Sequence, residues 1–279
     1  MNDEQSVREP AVAGLFYPAD RDELAATVRA HLDLGSALAP AMAPTMAITS
    51  SVAKAPKAII APHAGYDYSG PIAGTAFAPL ADASDRVRRV VLLGPAHRVR
   101  LRGLALPGAA AFATPLGEVR VDPELATRVA ELPQVSVNLS AHAQEHSLEV
   151  EIPFLQLLFE NITLLPLVVG DAGPEEVAEV LDTVWGGDET RLVISSDLSH
   201  YLPYDDARSA DRATAEKILA FDSTLDPNAA CGAFCVNGLL DAARDRGLGC
   251  ELFDLRNSGD TAGDRSRVVG YGAFAFYES

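Results

Sequence analysis

Apolar positions along the chain follow two rhythms. Residues 57–61, 88–93, 162–169 and 191–194 are short, nearly continuous apolar runs, the pattern of strands covered on both faces. Between them the apolar residues recur at helical spacing. Leu125, Val129 and Leu132 follow Asp122-Pro123, and Val177, Leu181 and Val184 follow Gly173-Pro174. Two further helices are predicted over 205–222 and 227–246, the second opened by Asp226-Pro227 and closed by Gly247. Residues 250–255 and 268–277 read as closing, antiparallel strands. Near the N-terminus, Asp20 and Glu23 form a capping-box pattern ahead of Leu24, Val28 and Leu32, which predicts a helix ending near Gly35. Residues 36–57, rich in Ala, Pro, Ser and Thr, predict a surface loop. Alternating strands and helices imply one α/β domain over 1–279, with a mostly parallel, mixed central sheet and helices on both faces.

Composition fits that picture and narrows the partners. Hydrophobic residues make up 48% and charged residues 22%, enough apolar material for a large core. The 39 acidic side chains outnumber the 22 basic ones for a net charge of -17, a field that repels nucleic acid and anionic membrane surfaces. No apolar run approaches the ~18 residues of a membrane span. The polar start MNDEQSVREP lacks the pattern of a signal peptide, and the three cysteines Cys231, Cys235 and Cys250 do not suggest a disulfide framework. A cytoplasmic protein is expected.

The candidate chemistry sits where strands end. Run 57–61 leads into Pro62-His63, run 88–93 into Gly94-Pro95-Ala96-His97, and run 191–194 into Ser195-Ser196-Asp197-Leu198-Ser199-His200. A parallel sheet binds ligands beyond the carboxyl ends of its strands. One such histidine is more simply a packed imidazole, but three at equivalent strand ends point to a shared metal site, with Asp197 able to orient a ring. Cys231 is a further candidate ligand, one turn into the predicted helix 227–246, where the helix dipole favours thiolate. Cys235, one turn on, reads as a core residue.

A second histidine-rich stretch, His142-Ala143-Gln144-Glu145-His146, matches H-x-x-E-H, the inverted zincin pattern, with Glu145 as base. A zinc-dependent peptidase ranks below the strand-end site, because so short a pattern recurs by chance and nothing nearby supplies the further glutamate ligand. His146 and Glu149 are expected to line the same cleft or to cap the helix. No G-x-S-x-G elbow, P-loop or G-x-G-x-x-G is present.

Seven segments in order, REPAVAGLFYPAD (8–20), APHAGYDYSGPIAGTAF (61–77), LLGPAHR (92–98), EHSLEVEIPFLQ (145–156), SSDLSHY (195–201), ACG (230–232) and SGDTAGDRSRVVGYGAFAF (258–276), resemble the Memo family, whose prokaryotic members are called AmmeMemoRadiSam system protein B. The resemblance implies a fold like that of the class III extradiol dioxygenases. It also implies an iron or copper site (zinc being a further candidate) on His63, His97 and Cys231, with His200 as a further cleft histidine beside Asp197; together with His146 and Glu149 from the residue pattern, these are the catalytic candidates. Two function classes follow from it. One is a metal-dependent oxidoreductase acting on a small molecule. The other is a non-catalytic metal-handling module working with radical-SAM and AMMECR-type proteins.

Overall fold

The apolar runs form neighbouring strands of one sheet. The structure, a computed structural model, describes residues 6–42 and 55–278. In chain order its strands are β1 (Val7–Arg8), β2 (Ala58–Ala61), β3 (Arg89–Pro95), β4 (Leu104–Leu106), β5 (Ala111–Thr114) and β6 (Gly117–Val121). They continue as β7 (Val135–Val137), β8 (Thr163–Val169), β9 (Thr190–Ser195), β10 (His200–Leu202), β11 (Gly249–Asn257) and β12 (Val268–Tyr277). The α-helices are α1 (Arg21–Met42), α2 (Tyr66–Phe77), α3 (Pro123–Val129), α4 (Leu139–Ala143), α5 (Ile152–Leu158), α6 (Pro174–Val184), α7 (Tyr204–Leu219), α8 (Ala233–Asp245) and α9 (Ser258–Thr261).

The sheet order is β1-β5-β6-β8-β3-β9-β2-β12-β10, with β11 also on β12, and β4 joining β7 to β8. Its centre, β8-β3-β9-β2, is parallel throughout, and β12 then closes the sheet antiparallel to both β2 and β11. Alternate residues of the central strands enter two cores. Ile59, Val90, Leu92, Leu164 and Val193 face Leu24, Ile72, Phe77 and Phe154 from α1, α2 and α5. Ile60, Val91, Leu93, Leu165 and Ile194 face Val177, Leu181, Leu239 and Leu240 from α6 and α8. Each fully buried aliphatic or Phe side chain stabilises by about 1.5–3 kcal/mol, which is why these strands carry no polar alternation. The single mixed α/β domain expected from the pattern is the one observed.

Two expectations are corrected. Asp20 does cap α1, its Oδ1 accepting from the N–H groups of Asp22 and Glu23 at 3.0 Å, but the helix runs through Gly35 to Met42. Gly35 is not a stop signal. A Cβ there would collide with the backbone at Gly74 and Thr75, and one at Gly74 with the backbone of His31, so both glycines serve the close crossing of α1 and α2. The expected loop 36–57 is therefore helical over its first seven residues, and Ala55 and Lys57 at its other end are buried; residues 43–54 lie outside the described residues.

The second correction concerns the helix predicted over 227–246, which begins only at Ala233. Asp226 holds Asn228 in a turn, its Oδ1 2.7 Å from the Asn228 N–H. The backbone N–H groups of Cys231 and Gly232 are then drawn to the end of β9, donating to the Asp197 carbonyl at 3.2 Å and to Ser196 Oγ at 3.0 Å.

Candidate metal centre

β2, β9 and β3 are parallel neighbours, so their carboxyl ends share one edge of the sheet. His63 lies two residues beyond β2, His97 two beyond β3, and Asp197 two beyond β9. The loop after α4 delivers His146 to the same edge. One ligand atom from each of His63, His97 and His146 falls within 4.8 Å of the other two. The ring centroids are separated by 5.2 Å (His63–His97), 5.5 Å (His63–His146) and 4.7 Å (His97–His146). This three-histidine group could hold a metal ion. His63 is buried, His146 half-buried and His97 exposed, so the group opens outward on the His97 side.

Hydrogen bonds fix which nitrogen His63 and His97 present. His63 Nδ1 is 2.7 Å from Ser195 Oγ, which is also 2.6 Å from the Ser147 carbonyl and 2.8 Å from Glu151 Oε1. A hydroxyl has one proton and two lone pairs. All three contacts are satisfied only if Ser195 donates to the Ser147 carbonyl while accepting from the His63 Nδ1–H and from a protonated Glu151 carboxyl. Burial pushes Glu151 well above the usual carboxylate range, as that arrangement requires. His63 Nε2 is then left bare for a ligand. His97 Nδ1 sits 2.9 Å from Glu145 Oε1, leaving its Nε2 bare in the same way. His146 Nδ1 is buried 3.3 Å from Glu145 Oε1 but misaligned for a hydrogen bond, a state a ligand would relieve. Burial and the charges of His97 and Arg98 push His146 down to about 4 against the opposing pull of Glu145, and burial with its histidine neighbours drives His63 well below its usual value. Both rings are neutral near pH 7, the state that coordinates metal.

Cys231 and Asp197 complete this edge. Cys231 Sγ is 3.4 Å from His63 Nε2 and accepts from the Asp197 N–H at 3.3 Å. Asp197 Oδ1 accepts from the His63 N–H at 2.9 Å, and burial, opposed by that bond, pushes its carboxyl up to about 7. The expectation that a helix start would favour thiolate at Cys231 is corrected. The residue precedes α8, and loss of solvent with the nearby Asp197 charge drives the thiol well above its ordinary value. Gly232 permits the approach, since a Cβ there would stand 2.6 Å from Ser196 Cβ. Cys235 is fully buried in the α8 core, as expected. His200, expected in the metal group, is not one of the three clustered histidines: it opens β10, its Nδ1 donates to the Leu198 carbonyl at 2.8 Å, and burial lowers its pKa.

A family profile described as Memo-like protein matches residues 8–275. The chain belongs to the Memo-like family. A MEMO1 family protein of Methanothermobacter thermautotrophicus is 36% identical over 95% of this chain and 98% of the relative, and one of Aquifex aeolicus is 35% identical over 95% and 97%. An uncharacterized protein of Escherichia coli K12 superposes with a TM-score of 0.52 at 16% identity, covering 77% of this chain and 98% of that one, a likeness of fold alone.

Within this Memo-like chain the H-x-x-E-H stretch divides differently from a zincin helix. α4 ends at Ala143, so His142 and His146 share no helical face. The His142 ring turns inward, with Nε2 2.8 Å from the Ala105 carbonyl and its ring near-perpendicular to Phe112, centroids 6.0 Å apart. Glu149 is also corrected as a cleft-lining group. It pairs with Arg8 and accepts from the N–H groups of Ala11 and Val12 at 2.8 and 2.9 Å and from Tyr17 Oη at 2.6 Å. Four donors saturate this carboxylate, which pins the N-terminal segment. The supporting residues that the pattern did not reveal are Glu145, Ser195 and Glu151. Only the glutamate beside His146 left a trace in the sequence, and the peptidase pattern assigned it another task.

Proposed function

We propose that this Memo-family chain binds a single iron or copper ion at the strand-end edge, with His63, His97 and Cys231 as ligands and His146 beside them. The observation that carries the cysteine into the set is its 3.4 Å separation from His63 Nε2. Two ligands of one tetrahedral ion, at about 2.0 Å for nitrogen and 2.3 Å for sulfur, stand roughly 3.5 Å apart. Two imidazoles and a thiolate suit copper and iron over magnesium or calcium, and zinc is the competing occupant. Iron or copper bound there would supply one-electron redox chemistry.

The surrounding residues support an open, proton-managing site. His200 keeps Nε2 free, and Asp197, its carboxyl pushed up to about 7, takes up or releases a proton on its other oxygen while Oδ1 accepts from the His63 N–H. Glu145 and Ser195 orient the two histidine ligands. The ion must displace the Cys231 proton, so binding releases a proton and weakens as pH falls. The test is anaerobic purification and elemental analysis of the wild type beside His97→Ala and Cys231→Ser. Metal near one equivalent in the wild type and sharply reduced in both variants is expected; equal content in Cys231→Ser would return the site to the three histidines. Oxygen consumption by the loaded protein, lost in His63→Ala, marks an oxidoreductase. Retained metal without turnover marks metal handling with partner proteins.

A further inference from the structure

Immediately after His97 the chain reads Arg98-Val99-Arg100-Leu101-Arg102, three arginines in five residues of a protein whose net charge is -17. Arg98 and Arg100 line a cavity of about 450 Å³ whose wall also includes His97 and Cys231. Among the described residues neither guanidinium has a hydrogen-bond or ion-pair partner, and Asp171 is the single acidic residue on that wall. Arg102, in the same stretch, does not line the cavity. The first turn of α8 reaches the cavity through Phe234, and the positive end of a helix dipole adds to the local field.

We infer that this cavity is the seat of a small anionic substrate or ligand, whose carboxylate or phosphate oxygens are gripped by Arg98 and Arg100 while the rest of the molecule lies against His97 and Cys231. The inference rests on the metal site proposed above only for what the bound anion would face; the grip itself belongs to the arginines. Guanidinium forks match planar carboxylates and phosphates with paired hydrogen bonds, and two of them in one cavity exceed what Asp171 can neutralise. Both arginines are exposed, so their guanidiniums stand in solvent ready to meet an entering anion, and no acidic side chain forms an ion pair with either among the described residues. Arg98 follows His97 directly in the chain and lines the same cavity, so an anion on Arg98 would stand beside the histidine group. A cavity of this volume takes a small molecule, not a folded partner.

The test is calorimetric titration of the full chain with inorganic phosphate and, separately, with succinate at low ionic strength, before and after removal of metal by a chelator. Arg98→Gln/Arg100→Gln should weaken whichever anion binds by about tenfold or more, as expected for loss of charge-assisted pairs. Arg102→Gln should leave it unchanged. The preferred anion tells phosphate from carboxylate recognition. No binding of either anion, or equal weakening by Arg102→Gln, would overturn the inference. The chelated protein separates the two ideas. Anion binding that survives chelation and is lost in the double variant upholds the basic wall even if no metal is found. Metal retained by a double variant that binds anions as the wild type does removes the wall and leaves the metal site standing.

Discussion

The two walls of the site use carboxyl groups in opposite ways. On the β3 side, Glu145 is buried, yet it receives the His97 N–H, the His97 Nδ1–H, and the N–H groups of His146 and Ser147 at 2.6–3.0 Å. Burial would raise its pKa, but the bonds and charge from His97, with the backbone donors, bring it down to about 2. On the β2–β9 side, Glu151 meets only the Ser195 hydroxyl and is pushed well above its usual range by burial. Its Oε2 has no partner at all. Both glutamates come from one short segment, and neither is exposed. The number of N–H donors pointed at each oxygen decides whether a buried carboxyl is an anion or a neutral acid. One wall thus orients its histidine with charge, the other through a neutral relay.

The largest test of this contrast is Glu145→Ala. It strands three backbone N–H groups and an imidazole N–H, and should cost on the order of 3–5 kcal/mol in urea unfolding. A loss below about 1 kcal/mol would mean that water replaces the carboxylate freely. Next comes pH. Because the folded-state pKa of Glu145 is depressed to about 2, its contribution is fully present above the unfolded value near 4.5 and is lost as pH falls towards 2. The stability gap between wild type and Glu145→Gln, on the order of 2–3 kcal/mol at pH 6, should close across that window. A gap constant with pH would show that the carboxyl is not charged in the fold.

Ser195→Ala probes the other wall. It frees His63 to flip tautomer and should weaken metal binding by about 10–100-fold against a competing chelator, the usual effect of losing a ligand's supporting hydrogen bond. Unchanged affinity would mean that packing alone orients His63. The smallest effect is expected for Glu151→Gln. An amide donates to Ser195 as the protonated acid does, so stability and metal affinity at pH 7 should move by less than about 0.5 kcal/mol. A large loss there, comparable to Glu145→Gln, would erase the difference between the walls.

Strand and helix periodicity determined the sheet centre, both core faces and the closing antiparallel pair, because the middle of a parallel strand buried on both faces is almost entirely apolar. It also placed His63, His97 and the 195–200 segment at one sheet edge, since position after a strand translates directly into position in space. What depended on tertiary contacts was invisible along the chain. Gly35 looks like a helix stop until Gly74 is seen pressed against it. Asp226-Pro227 looks like a helix start until the backbone of Cys231 and Gly232 is seen bonded to the end of β9. His146, where the strand-end pattern had put His200, completes the three-histidine group, because the loop after α4 carries it to the sheet edge while His142 stays behind on α4. The protonation of Glu145, Asp197, Glu151 and Cys231 was settled by donors and burial supplied from distant segments. A sequence states which groups can ionise; only the folded surroundings decide which of them do.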